Sequence, residues 1–155
     1  MIETQKVIER YEKRKLRKIV ENVWFSKYVK YERELKYFEI LNKKHQALDG
    51  KKIIEIGAGS GDNLIALKRF GFDWENLYAN ELLDDRVDIL KKNLLSSNVL
   101  PGDALLLEFE SYFDVVFQST VFTSILDSDF KKKLAVKMFD MVKDDGLVLW
   151  YDFKY

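Results

Sequence analysis

A cluster of three glycines is the feature of this sequence best suited to bind a ligand. Gly57, Gly59 and Gly61 follow the short apolar run at residues 52–56 and precede a segment with helical spacing. Glycine lets the backbone turn tightly and lets a ligand approach the main chain, and a helix N-terminus offers unpaired N–H groups to a carboxylate or phosphate. The pattern predicts a binding loop at the end of a strand.

The spacing of these glycines bears on the class of ligand. A dinucleotide-binding loop follows the pattern Gly-x-Gly-x-x-Gly, which would place glycine or alanine at position 62. That position is Asp62, whose negative charge would repel a pyrophosphate. The Gly-Lys-Ser/Thr ending of a nucleoside-triphosphate loop is absent too. The sequence therefore favours a ligand without phosphate.

A carboxylate stands at the end of the next predicted strand. Glu81 lies twenty residues beyond Gly61 and follows the strand predicted at residues 77–80. A carboxylate at this position can accept hydrogen bonds from the 2′- and 3′-hydroxyls of a ribose. The alternative is a solvated acid at a strand end.

No catalytic residue can be assigned from the sequence. If a substrate reacts through a hydroxyl group, the hydroxyl needs a general base to take its proton. The candidate bases are His45, Asp152, Tyr11 and Tyr28. None of them lies in a catalytic motif. The chain has no cysteine, and its His, Asp and Glu residues show no metal-ligand spacing, so no metal site is predicted.

The elements that must position these residues alternate along the chain. Strands are predicted at residues 52–56, 77–80, around 99, 113–117 and 147–151, with amphipathic helices between them. Gly71 is expected to end one helix, and Asp84 and Asp127 are expected to cap two others. Such alternation predicts an α/β, Rossmann-like, doubly wound and mostly parallel sheet covered on both faces.

We expect a single domain over residues 1–155, with an N-terminal helical cap at 1–48 and an α/β core at 49–155. The cap holds 13 Lys and Arg against 7 Asp and Glu, whereas the core holds 13 against 19. Aromatic side chains of the cap are expected to cover the pocket: Trp24, Phe25, Tyr28 and Tyr31. The alternative is that they form an interface with another chain.

Taken in order, the motifs resemble those of class I S-adenosylmethionine-dependent methyltransferases. Residues 55–61 resemble the family's first motif, Asp/Glu-x-Gly-x-Gly-x-Gly, which holds the amino-acid end of the cofactor. Residues 102–104 resemble its Gly-Asp-Ala element, whose Asp contacts the adenine amino group. Residues 113–119 resemble the fourth strand, which ends beside the transferred methyl, and residues 141–149 resemble the turn into strand five.

The resemblance covers about residues 50–153 and implies S-adenosylmethionine as the cofactor, with S-adenosylhomocysteine as the product. In it Glu81 matches the acid that binds the ribose, and Leu82 lies beside the adenine. The cofactor-binding residues implied in this way are Glu55, Gly57, Ala58, Gly59, Gly61, Asn63, Glu81, Leu82, Asp103, Ala104, Gln118 and Ser119.

Two departures from the family pattern bear on function. The family core has seven strands, the last two forming an antiparallel hairpin, whereas about five strands are predicted here. The Asn/Asp-Pro-Pro-Tyr/Phe element of amino-group methylation is replaced by residues 118–122. We therefore expect a small-molecule acceptor with an oxygen nucleophile. The rival interpretations are a non-catalytic protein that binds S-adenosylmethionine and a nicotinamide-dependent oxidoreductase.

The composition bounds the remaining classes. The 155 residues are 47% hydrophobic and 34% charged, as in a globular protein, and contain no apolar run long enough to span a bilayer. The N-terminus has no secretory signal pattern, so a cytoplasmic location is expected. The basic run at residues 13–18 lacks the aromatic interleaving of a nucleic-acid platform. A homo-oligomer could form through the aromatic N-terminal helices or through an exposed sheet edge.

Overall fold

A parallel sheet forms the centre of this computed structural model, which describes residues 2–15, 23–95 and 98–153. Its strands are β1 (Ile53–Ile56), β2 (Leu77–Glu81), β3 (Val99–Pro101), β4 (Phe113–Ser119) and β5 (Val142–Tyr151). They lie in the order β3-β2-β1-β4-β5, and all neighbouring pairs are parallel. The predicted Rossmann-like α/β fold is therefore confirmed, with the fifth strand at one edge of the described sheet.

Helices cover both faces of this sheet. The α-helices in the described ranges are α1 (Glu3–Lys15), α2 (Val23–Lys44), α3 (Asp62–Phe70), α4 (Asp84–Asn93) and α5 (Ser128–Met141). Successive residues of β4 point to opposite faces, so Val115 packs with α2, α3 and α4, whereas Val116 packs with α5. None of the described helices is long and apolar enough to cross a membrane.

The helix ends agree with the sequence pattern at two places and differ at a third. Gly71 ends α3 with φ of 122° and donates its N–H to carbonyl oxygens of the last turn. Asp127 caps α5 by accepting the N–H groups of Asp129 and Phe130 at 2.9 and 2.8 Å. Asp84, however, is the first helical residue of α4 and not its cap. The cap position falls on Leu83, whose N–H is bound by the Glu81 carboxylate at 2.9 Å.

The last strand begins earlier than the sequence predicts. The Asp145–Gly146 pair was expected to turn into a strand at Leu147, whereas β5 already begins at Val142. Val142 pairs with Phe113, and Leu147 pairs with Val115, so extra residues of β5 bulge between these two pairs. The bulge absorbs the turn that the Asp-Gly pair suggested.

Candidate functional site

A cavity of about 410 Å³ lies at the carboxyl ends of β1, β2 and β4. The strand order reverses between β1 and β4, and open α/β sheets bind their ligands at such a switch point. Ten of the twelve predicted site residues line this cavity: Glu55, Gly57, Ala58, Gly59, Asn63, Glu81, Leu82, Asp103, Ala104 and Ser119. Gly61 and Gln118 lie outside its lining.

The three glycines after β1 have different surroundings. A Cβ on Gly57, whose φ is +64°, would lie 2.6 Å from Cγ2 of Val121 in the loop after β4. A Cβ on Gly61 would lie 3.0 Å from Leu90 of α4, so this glycine lets α3 begin close to α4. Gly59, with φ of +61°, would have no heavy atom within 4 Å of an added Cβ. Of the three, Gly59 is therefore the one that leaves room for a ligand.

The carboxylate of Glu81 joins the loop after β1 to the loop after β2. Glu81 is 3% exposed. Its Oε2 accepts the N–H of Gly59 at 2.7 Å, and its Oε1 accepts those of Leu82 and Leu83 at 2.8 and 2.9 Å. Nη1 of Arg86 lies 3.9 Å away. A carboxylate has about four lone-pair positions, and backbone N–H groups already occupy three of those of Glu81.

Glu55 and Asn63 line the cavity, and each carries an acceptor without a partner in the described ranges. Nδ2 of Asn63 donates to Oε1 of Glu55 at 2.6 Å. Oε2 of Glu55 and Oδ1 of Asn63 are buried and have no hydrogen-bond partner among the described residues. Burial raises the pKa of the Glu55 carboxyl to about 8, although the Asn63 hydrogen bond opposes the shift. This part of the wall would be stabilised by a ligand that donates hydrogen bonds.

The side chains of Asp103 and Asn80 form hydrogen bonds with the main chain in β3 and in the segment that follows it. Oδ1 of Asp103 accepts the N–H of Leu105 at 2.9 Å and caps the short 3-10 helix Ala104–Leu106. Nδ2 of Asn80 donates to the carbonyl oxygens of Leu100 and Gly102 at 2.9 and 3.0 Å. These contacts bring the Asp103 side chain to the same cavity as Glu81.

Two neighbouring residues at the end of β4, Gln118 and Ser119, were both predicted to bind the cofactor, but only Ser119 lines the cavity. Gln118 is completely buried, and its amide donates to the carbonyl oxygen of Tyr151 at 3.1 Å and accepts the N–H of Val121 at 3.0 Å. Gln118 therefore connects β4, β5 and the following loop instead of lining the cavity. Ser119 does line it, and its Oγ lies 3.1 Å from the hydroxyl of Tyr37.

The first helix closes one side of the cavity. Thr4, Val7 and Tyr11 of α1 line it, and the Tyr11 hydroxyl lies 3.0 Å from Oγ of Ser124. By contrast, Arg33 is the residue that α2 contributes to the lining. The aromatic residues expected to cover the pocket are 60–83% exposed and do not line it: Trp24, Phe25, Tyr28 and Tyr31. The cover is therefore supplied by α1, because the aromatic face of α2 points elsewhere.

Of the four candidate bases, Tyr11 is the one that borders the cavity. Tyr28 is 63% exposed on α2. His45 follows α2 outside the lining, where burial lowers its pKa. Asp152 lies beyond β5 and accepts the N–H of Phe153 at 3.2 Å. The described ranges contain no group of three or more His, Cys, Asp or Glu side chains that could hold a metal ion.

Comparison with protein families gives a match over most of the core. A sequence model of a protein family, described as the methyltransferase domain, matches residues 54–150. A search of curated proteins gives no match.

Three solved structures with the same fold are methyltransferases. CalS10, an amino pentose methyltransferase from Micromonospora echinaspora solved with S-adenosylmethionine bound, has a TM-score of 0.64 at 13% identity, covering 87% of this chain and 59% of that chain. For the sugar N-methyltransferase KedS8 from a Streptoalloteichus species, the TM-score is 0.63 at 13% identity, with coverage of 76% and 47%.

A TehB-like S-adenosylmethionine-dependent methyltransferase from Corynebacterium glutamicum has a TM-score of 0.57 at 18% identity, with coverage of 83% and 72%. At such identities the similarity shows the fold alone. The chain spans about half the length of the first solved structures that it matches.

Proposed function

The chain belongs to the family of methyltransferase domains, and from this premise we propose that it binds S-adenosylmethionine and transfers the methyl group to a small-molecule acceptor. The observation that carries this proposal is the hydrogen bond between Gly59 and Glu81. It brings the glycine loop of β1 and the acid of β2 together at one cavity, as a nucleoside ligand with an amino-acid end requires.

The cavity wall fits the nucleoside part of such a ligand. The open space beside Gly59 allows the ligand to approach the main chain. Backbone N–H groups occupy three lone-pair positions of Glu81, which leaves about one for a ribose hydroxyl. A second ribose contact would have to replace the bond to Gly59. Asp103 and Leu82 border the same space and supply the adenine contacts.

The unpaired acceptors of Glu55 and Asn63 fit the ammonium group at the amino-acid end. An ammonium donates up to three hydrogen bonds and favours the ionised form of a carboxyl group whose pKa burial has raised. When bound, S-adenosylmethionine supplies an electrophilic methyl group on a positively charged sulfur. The residues of this chain bind and orient the reactants, and α1 excludes water from one side.

The region beneath α1 receives the acceptor. It is bordered by the Tyr11 and Ser124 hydroxyls and by apolar side chains such as Val7 and Ile125. A cavity of about 410 Å³ is within the usual size range of small-molecule sites. Residues 1–48 would then act as the cover of the core and not as a separate module.

An oxygen nucleophile is the proposed acceptor atom, because residues 118–122 replace the element typical of amino-group methylation. The competing candidate is an amine. Two structural neighbours, KedS8 and CalS10, are a sugar N-methyltransferase and an amino pentose methyltransferase, which supports a sugar-like acceptor for either atom.

Ligand binding tests the proposal first. S-adenosylhomocysteine at a hundred times its dissociation constant should stabilise the chain by about 2.7 kcal/mol, whereas NADH should not. Glu81→Ala should weaken S-adenosylhomocysteine binding about 10- to 100-fold, since a hydrogen bond to a charged group is lost. Glu75→Ala, an exposed acid just before β2, is the matched control. Stabilisation by NADH alone would favour the oxidoreductase interpretation.

Transfer of a labelled methyl group then separates the acceptor classes. Matched sugars that differ only in carrying a hydroxyl or an amino group should be tested with the full chain and labelled S-adenosylmethionine. Transfer to the hydroxyl sugars is expected, and transfer confined to the amino sugars would overturn the choice of oxygen. Binding without transfer to either set would favour the non-catalytic interpretation.

A further inference from the structure

Arg33 differs from two other arginines close to the cavity. Arg10 pairs with Glu3 at 2.6 Å, and Arg86 lies 3.9 Å from Glu81. Arg33 lines the cavity from α2, yet among the described residues no carboxylate lies within ion-pair distance of it. Its Nε is buried there without a hydrogen-bond partner. Because arginine stays charged and carries five N–H donors, this guanidinium is a cation without a paired anion in the described part of the chain.

The position of this cation is restrained by packing. The guanidinium carbon of Arg33 lies 5.3 Å from the ring centroid of Tyr151, at the end of β5. Burial raises the pKa of Glu55, and the nearby charge of Arg33 partly opposes that shift. The two groups are thus close enough to interact at a distance, although they form no ion pair. A restrained cation and a buried carboxyl border the same cavity.

The pair is complementary to an α-amino acid. The ammonium of such a ligand can donate to the unpaired Oε2 of Glu55, and its carboxylate can accept two parallel N–H bonds from a guanidinium. We propose that Arg33 binds the carboxylate at the amino-acid end of S-adenosylmethionine. Helix α2, which lies outside residues 54–150 of the family match, would then complete the cofactor site. This inference rests on the proposed function.

Calorimetry with three ligands tests the assignment. They are S-adenosylhomocysteine, its decarboxylated analogue, and 5′-methylthioadenosine, which lacks the whole amino-acid end. The wild-type chain should bind S-adenosylhomocysteine about 10- to 100-fold more tightly than the decarboxylated analogue. Arg33→Met should abolish that preference while leaving the affinity for 5′-methylthioadenosine unchanged, which also shows that the variant is folded.

Two further variants serve as controls. Lys36→Met removes a positive charge from the same helix at a position whose side chain is 64% exposed, and it should retain the full preference. Arg33→Lys keeps the charge but not the planar fork, and it should recover part of the preference.

If Arg33→Met keeps the wild-type preference for S-adenosylhomocysteine over the decarboxylated analogue, the proposal is overturned. Arg33 would then be a candidate to bind an anionic acceptor. Equal weakening of all three ligands would also overturn it, because Arg33 would then support the cavity wall. A wild-type chain that binds none of the three overturns the proposed function itself, and the assignment of Arg33 with it.

Discussion

Burial changes the chemistry of a single residue at Glu55. In the unfolded chain its carboxyl has the ordinary pKa of 4.5, whereas in the folded chain burial raises the pKa to about 8. Between these two values the folded chain binds a proton that the unfolded chain releases. Glu55 therefore favours folding most below pH 4.5, and this contribution is lost as the pH rises through about 8.

The pH dependence of unfolding tests this account. Between pH 4.5 and 8 the free energy of unfolding of the ligand-free wild type should fall relative to that of Glu55→Gln. The slope should be at most about 1.4 kcal/mol per pH unit, the value for one proton. Denaturant titration measures it, and Glu55→Gln is itself the control because other titrating groups are unchanged. Parallel profiles for the two proteins would contradict the burial of an uncharged Glu55.

Gly57 shows how one missing side chain permits the loop to pass under the segment after β4. Gly57→Ala should destabilise the chain for two reasons. A side chain at positive φ costs about 1–2 kcal/mol, and the new Cβ would lie 2.6 Å from Val121. Gly50→Ala is the matched control, because Gly50 has φ of +70° and open space around its Cβ position.

Urea unfolding should show a larger loss of stability for Gly57→Ala than for Gly50→Ala. Adding Val121→Ala to Gly57→Ala should remove the extra loss of stability relative to Gly50→Ala, because the clash is relieved. The cost of a side chain at positive φ should remain. Equal losses in the two glycine variants would show that the loop can move away from Val121.

At the scale of an element, α1 is attached to the core by a small polar cluster. Glu3 is 6% exposed, and its Oε1 accepts both the N–H of Leu126 at 3.0 Å and an N–H of Arg10 at 2.6 Å. Arg10 also donates to the carbonyl oxygen of Ser124 at 2.8 Å. These contacts join α1 to the segment after β4, so that one element covers the cavity formed by others.

Removing that anchor should release the helix. Glu3→Ala is expected to speed amide hydrogen exchange in α1 and in residues 120–126, because it removes the acceptor shared by Arg10 and Leu126. Exposed Glu9 on the same helix supplies the control variant, Glu9→Ala. Since most of the proposed cofactor contacts lie on the sheet side, S-adenosylhomocysteine affinity should change only a few-fold. Unchanged exchange in Glu3→Ala would show that apolar packing alone docks α1.

At the scale of the whole molecule, the aromatic face of α2 is available for association. Tyr37 and Leu41 anchor the opposite face of the helix in the core, while Trp24, Tyr28 and Tyr31 are 83%, 63% and 60% exposed. Large exposed apolar patches are typical of protein interfaces. Self-association through α2, which the sequence suggested, stays a prediction.

Sedimentation of the full chain tests that prediction. The wild type should show a mass that rises with concentration, and the double variant Tyr28→Ser, Tyr31→Ser should lower it. Phe139→Ser, at a 63% exposed position on α5, should not. Since Tyr28 and Tyr31 lie outside the cavity lining, S-adenosylhomocysteine affinity should be the same in all three proteins. A monomeric wild type at every concentration would contradict association through this face.

The sequence by itself determined the features that depend on local conformation. Gly57 and Gly59 follow a buried strand, and both have the positive φ that their residue type suggested. The strand predicted at residues 77–80 ends one residue later, at Glu81, so the sequence placed this acid correctly at the carboxyl end of β2. The carboxyl ends of parallel strands lie at the same edge of a sheet, so the glycine loop after β1 and Glu81 at the end of β2 had to lie close together.

Only the tertiary structure decided the features that depend on which distant segments touch. Gln118 looked like a ligand-binding residue, yet β5 lies beside β4 and binds its amide through Tyr151, 33 positions away. Tyr11 and Arg33 reach the cavity because α1 and α2 fold back on the core, and no local pattern encodes that contact. The raised pKa of Glu55 arises from burial by all of these elements together. Periodicity and turn preference act over a few residues, whereas desolvation and docking depend on the whole packed chain.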